Sequence, residues 1–148
     1  HLIDLSRFFL GNLKTDKHKL KTTFWNMKLE DNCFLFLKNK KDNIAFLHAS
    51  CTEWKNKFTF EIFGKFGKIE INGLGRSYGK ENLIFYKMSK KMGIPKKKQY
   101  IFNMTKDHSW KLELEDFYID IVKRRKPTPS IIDAYENLKI INRIYKNK

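Results

Sequence analysis

At 148 residues, with 41% hydrophobic and 15% aromatic content including 13 Phe, the chain is too apolar for intrinsic disorder and sized for one domain around one core. No apolar run approaches the ~20 residues that cross a bilayer and no secretory leader pattern stands at the start, so a cytoplasmic protein without a membrane partner is expected. The formal charge is +15, but among 31 basic residues only Arg7, Arg76, Arg124, Arg125 and Arg143 are arginine, the side chain suited to bidentate phosphate and guanine contacts. Lys, Asn, Ile and Phe are what A/T-rich codons encode, so the charge requires no nucleic acid and none is expected; a basic nucleic-acid-binding module stands as the alternative.

Leu2, Ile3, Leu5, Phe8 and Phe9 recur at helical spacing and stop at Gly11, which predicts a helix over 1–10. With no capping residue before His1, the helix is expected to continue upstream in a longer parent chain. Residues 12–32 are polar with scattered apolar anchors, and Phe24 to Leu29 is read as a strand. Short β-rich segments follow at Cys33–Leu37, Ile44–Trp54, Phe58–Phe63, Lys68–Ile71 and Leu83–Met88, then an edge strand at Gln99–Asn103, with tight reversals between them that favour an antiparallel meander. Apolar residues on both sides of Cys33–Leu37 and Phe58–Phe63 imply that the face away from the helices meets something else. Cys33 and Cys51, without metal-ligand spacing, read as reduced packing residues.

A second helix runs from near Ser109 to the basic run before Pro127, carrying Leu112, Phe117, Ile119, Ile121 and Val122. A last helix, capped by Ser130 or Asp133, repeats Ile131, Ala134, Leu138, Ile141 and Ile144. Lys96–Lys98 and Lys123–Lys126 read as solvated loops or helix ends. The resulting class is α+β, with helices on one face of a single open, mostly antiparallel sheet.

Motifs that carry chemistry are sparse. The segment Gly73 to Gly79 (GLGRSYG) offers backbone N–H groups with Arg76, Ser77 and Tyr78 donors to an anionic or hydroxylated ligand, or is a turn needing positive φ; glycines mark turns more often than phosphate sites, so the turn reading is the stronger. His1 and Asp4 fall on one helical face, where a carboxylate can set an imidazole's tautomer, against the plainer reading of an end residue beside a surface acid.

Taken in order, these segments resemble the C-terminal domain of the Gfo/Idh/MocA oxidoreductases. HLIDLSRFFLG at 1–11 is similar to the family's H-x-x-D-L-x-R-W-x-x-G helix, with Phe8 where Trp is common. SCTEWKNKF at 50–58 and EIFG at 61–64, then GLGRSYG at 73–79, Glu81, Leu83, Tyr86, Met88, Met92-Gly93, Pro95 and Ser109-Trp110, continue one subgroup's pattern; Phe117, Pro127, Asp133-Ala134 and Ile144-Tyr145 fit its closing helices. The resemblance spans the chain and implies that residues 1–148 are a substrate-binding and oligomerisation domain. Its fold would be like the C-terminal domain of glyceraldehyde-3-phosphate dehydrogenase, and its free sheet face would join a homo-oligomer. NAD or NADP would be bound by an N-terminal Rossmann half lying outside this chain, no cofactor or metal is expected here, and the isolated domain is expected to be inactive. The substrate class implied is a sugar, sugar nucleotide or cyclitol. By the H-x-x-D match, His1 corresponds to the catalytic histidine, whose imidazole, with a pKa near ~6.5, can take the hydroxyl proton at cellular pH. Trp54, Lys55, Arg76 and Tyr78 lie in the subgroup-like motifs, where a stacked aromatic with basic and hydroxyl donors would suit a sugar or sugar nucleotide, against an equally weighted reading as packing and turn residues; Arg76 stands where the subgroup usually has a small residue. A non-catalytic dimerisation scaffold is the remaining alternative.

Overall fold

The computed structural model describes residues 1–75, 77–102 and 107–146. They form α1 (Leu2–Leu10), β1 (Lys14–Lys21), β2 (Asn32–Lys38), β3 (Ile44–Ser50), β4 (Thr59–Gly64), β5 (Gly67–Asn72), β6 (Asn82–Lys87), β7 (Lys96–Ile101), α2 (Ser109–Lys123) and α3 (Ile131–Lys146). The class is α+β, with every strand pairing antiparallel. The strands make two sheets rather than the single sheet expected: β1-β2-β3, and β4-β5-β6-β7. The cause lies after Ser50. Its hydroxyl accepts a hydrogen bond from the Thr52 backbone N–H at 2.9 Å and meets Thr52 Oγ1 at 2.8 Å, a serine turn that competes with ladder bonding. Trp54 then takes a φ of 57°. β3 therefore ends before the expected Trp54, and β3 and β4 share no ladder.

The chain divides into two compact units, residues 1–52 with 117–148, and residues 53–116; the division falls inside α2, between Asp116 and Phe117. In the first unit, alternation along the three strands sends Leu35, Leu37, Ala45 and Leu47 to one face, where they bury with Leu13, Ile140 and Ile144. The opposite face carries Phe34 stacked on His48 with ring centroids 4.3 Å apart, and Phe36 against Phe46 at 4.8 Å. Phe36, Phe46 and His48 are exposed, so both faces of this sheet are apolar, one of them open to solvent. Lys17 and Lys19 flank the aromatic rows on β1.

α1 and α3 are held together by polar groups. Arg7 donates to the Asp133 carbonyl and to Asn137 Oδ1, both at 2.9 Å, and Asn137 donates to Asp4 Oδ1 at 2.6 Å. This clamp turns Asp133 and Asn137 inward in line with Ile140 and Ile144, steps of four, three and four along α3. The apolar stripe expected from the sequence is rotated accordingly: Ile144 is buried, whereas Ile131 and Leu138 are exposed. α3 begins as anticipated, with Asp133 Oδ2 accepting from the Ser130 N–H at 2.8 Å and its hydroxyl at 2.9 Å.

Residues 24–29 are a loop, not the expected strand. Asp31, almost wholly buried, accepts the backbone N–H groups of Thr23, Phe24 and Trp25 at 2.7–3.1 Å, the Thr23 hydroxyl at 3.2 Å and the Asn32 amide at 3.0 Å. Three successive N–H groups turned on one carboxylate cannot also serve a ladder. Burial alone would raise the Asp31 pKa, but the N–H groups of Phe24 and Trp25, the Asn32 amide and the Thr23 N–H hold it well below the usual carboxylate range. Phe24, Trp25, Met27 and Leu29 are left exposed. Cys33 is partly buried, and burial pushes its thiol pKa up; Cys51 is exposed rather than packed, just past the end of β3.

In the second unit, the register places Phe60, Ile62, Ile69, Ile71, Leu83 and Phe85 on one face, and Phe63 on the other. Lys68 on that second face pairs with Glu61 and Glu70 and lies over the Phe63 and Tyr86 rings. Lys96, Lys97 and Lys98 are strand residues of the edge strand β7 rather than loop residues, and all are exposed. That strand starts before the expected Gln99; the end expected at Asn103 lies outside the described residues. The basic run 123–126 does close α2, with Arg125 bonded to Asp120 at 2.7 Å. Among the described residues no helix is long and apolar enough to cross a membrane.

Candidate functional site

His1 occupies the N-cap position of α1 and is exposed; its carbonyl accepts the Leu5 N–H at 2.9 Å while its side chain caps nothing. The residues that follow explain how it is held. Ser6, buried, returns its hydroxyl to the Leu2 carbonyl at 2.8 Å, and Arg7 and Asp4 bind α3 as described, so the helix is fixed along the face opposite solvent while its first residue projects. Asp4 faces Asn137, and no hydrogen bond or ion pair joins it to His1. The imidazole–carboxylate pair allowed by the spacing is not formed, because the clamp takes the carboxylate.

Trp54, Lys55 and Tyr78 belong to the second unit and His1 to the first. Trp54 is 85% exposed and held at positive φ; the Lys55 N–H donates to the Glu53 carbonyl at 2.6 Å, closing a tight turn. Tyr78 is exposed and its N–H donates to the Leu74 carbonyl at 3.2 Å. Arg76 lies outside the described residues. The glycines of this loop have the geometry of a turn. Gly73 has φ 79°, and a Cβ there would lie 2.6 Å from the Lys80 carbonyl oxygen, so both conformation and close approach demand glycine. The Gly75 N–H, which could have met an anionic ligand, donates to Glu81 Oε1 at 2.8 Å. The loop thus supplies its own anion, and what remains for a ligand is the aromatic and hydroxyl surface of Trp54 and Tyr78.

Sequence reasoning passed over two polar clusters: the Asp31 hub, whose trace is the Asp31-Asn32 pair ahead of an apolar strand, and the role of Asn137, a polar residue inside an otherwise helical apolar pattern. Both sheets are antiparallel, and the parallel βα crossover that seats a dinucleotide at a strand end is not among the described residues. No protein-family model, no curated protein and no solved structure matches the chain.

Proposed function

We propose that this chain is the substrate-side and oligomerisation domain of a sugar, sugar-nucleotide or cyclitol oxidoreductase of the Gfo/Idh/MocA type, with a fold like the C-terminal domain of glyceraldehyde-3-phosphate dehydrogenase. The observation that carries the reading is the division of labour inside the H-x-x-D-L-x-R segment: Asp4 and Arg7 lock α1 onto α3, and His1 stands free and exposed at its head. A fixed helix presenting an unengaged imidazole suits a general base, which must sit at a set distance from a substrate hydroxyl. In the full-length enzyme, NAD or NADP held by a dinucleotide-binding half outside this sequence would exchange the hydride. The part of this chain is to take the hydroxyl proton at His1. The open aromatic face of the first sheet supports the oligomerisation role, since contiguous exposed apolar surface marks association sites.

The test is turnover by the full-length protein across a panel of sugars, cyclitols and sugar nucleotides with either dinucleotide. His1→Ala should lower kcat by about 10²–10⁴-fold, the usual contribution of general acid–base catalysis, with the oligomer unchanged on a sizing column. Turnover equal to the parent's, or no dehydrogenase activity with any member of the panel, rejects the reading.

A further inference from the structure

A cavity of about 640 Å³ lies within the first unit, at the end of α1 away from His1, and its lining departs from that of a sugar site. Its apolar floor is Leu10, Leu13 and Ile140, the last two buried core residues. Its rim is cationic: Lys14 and Lys38 from β1 and β2, Lys40 and Lys41 from the β2–β3 hairpin, and Lys139 and Arg143 from α3, against the one carboxylate of Glu136. Two of these cations are already matched, Lys38 by Asp16 and Lys139 by Glu136, each at 2.7 Å. Among the described residues, Lys14, Lys40, Lys41 and Arg143 have no ion pair. They come from three different elements, so no single helix or strand composition explains their convergence.

The rim is built rather than incidental. Asn39 donates its side-chain amide to the Leu10 carbonyl at 2.9 Å, and its Oδ1 accepts the N–H groups of Lys41 and Asn43 at 2.9 and 3.0 Å. One asparagine thus ties the lysine-bearing hairpin to the end of α1 and fixes its shape. On α3, Glu136, Lys139, Ile140 and Arg143 fall at three- and four-residue steps, so one helix face supplies floor and rim together. Like charges gathered without counter-charges repel one another, and an anion entering among them relieves that repulsion as it binds.

We propose that this cavity binds a small polyphosphorylated molecule, with two or more adjacent phosphates among Lys14, Lys40, Lys41 and Arg143 and an apolar or flat body on the Leu10, Leu13 and Ile140 floor. Lysine ammonium groups meet phosphate oxygens as point charges, and an arginine adds a bidentate contact. The volume falls in the ~300–1,000 Å³ range of small-molecule sites. An apolar floor inside a ring of cations suits a compact ligand with one charged end better than a continuous polyanion, which contacts protein along a groove. α1 separates the cavity from His1 by about 13 Å, nine residues at 1.5 Å each. The site is therefore distinct from the proposed catalytic residue, and its test does not depend on that reading.

The experiment is calorimetric titration of the 148-residue chain with inorganic tripolyphosphate and, separately, ADP, at about 0.15 M NaCl, where diffuse surface attraction is screened beyond about 8 Å. One-to-one saturable binding is expected for both, tighter for ADP if the apolar floor is used. Lys41→Glu and Arg143→Glu should each weaken it at least about tenfold, the loss of one charge-assisted contact; Lys97→Glu, on β7 of the other unit, should leave it unchanged. Arg143→Gln, which removes charge without reversing it, guards against a folding defect, as does an unchanged circular dichroism spectrum. Absence of saturable binding by both probes, equal weakening by Lys97→Glu, or saturation only by a single-stranded RNA oligomer would overturn the proposal.

Discussion

The two units are both antiparallel, yet among the described residues only the first pairs its sheet with helices across a closed core. Seven apolar residues bury together there, with Leu37 fully enclosed. Among the described residues of the second unit, Ile84 alone is a buried hydrophobic residue, and the sheet relies on its ladders, on the Lys68 cluster and on turn geometry. Local alternation suffices to form a sheet, whereas tight burial needs a second layer. Stability should therefore be unevenly distributed, greatest in β2 and β3 and least toward β7.

The strongest way to break this comparison is to truncate one core residue in each unit. Leu37→Ala should cost about 2–5 kcal/mol in urea unfolding. Ile84→Ala should cost less, because its surroundings are less completely enclosed, and equal losses would erase the distinction. Next comes the backbone. Gly73→Ala combines positive φ with contact against fixed main chain and should cost about 1–3 kcal/mol. Gly11→Ala shares the positive φ but meets open space, and should cost no more than about 1–2 kcal/mol. A melting series in which the two variants coincide would show that the approach to Lys80 is relaxed. The last effect is confined to acid. Folding lowers the Asp31 pKa, so its contribution is complete above the ordinary carboxylate pKa of about 3.9 and is lost as pH falls through the lower folded value. The stability gap between the parent and Asp31→Asn should accordingly close at low pH and stay constant near neutrality. Asp133 is shifted the same way, by the Ser130 backbone and side-chain hydrogen bonds, and is retained in both proteins, so the difference isolates Asp31.

Periodicity made most elements legible: α1, α3 and the five segments from β2 to β6 fall close to the places their apolar patterns indicate. β1 was not, because Lys14–Lys21 places only Leu20 as an apolar residue on an edge strand, and an exposed edge strand needs little hydrophobic pattern. The loop at 24–29 has strand-like composition and loses its ladder to one carboxylate, a competition that no local propensity displays. The partition into two sheets turns on a hydroxyl turn at Ser50 and Thr52, chemistry too short-ranged to register as a breaker beside a β-rich segment. At the site, the turn character of the glycine loop was legible, as the positive φ of Gly73 and Gly75 shows. The partner that Asp4 does take, Asn137, lies 133 positions away and leaves no trace in the local pattern. The cavity was invisible for the same reason, its cations being dispersed along the chain and gathered only by the fold.

β7 carries three consecutive lysines along a strand whose outer edge pairs with no other strand among the described residues. Such an edge is a template on which another chain could extend the sheet, and the row of ammonium groups makes each approaching copy repel the last. Neutralising those lysines by acetylation would leave the hydrogen-bonding template in place without its guard. The modified chain would then be drawn toward edge-to-edge polymerisation, while its folded core stayed as it was.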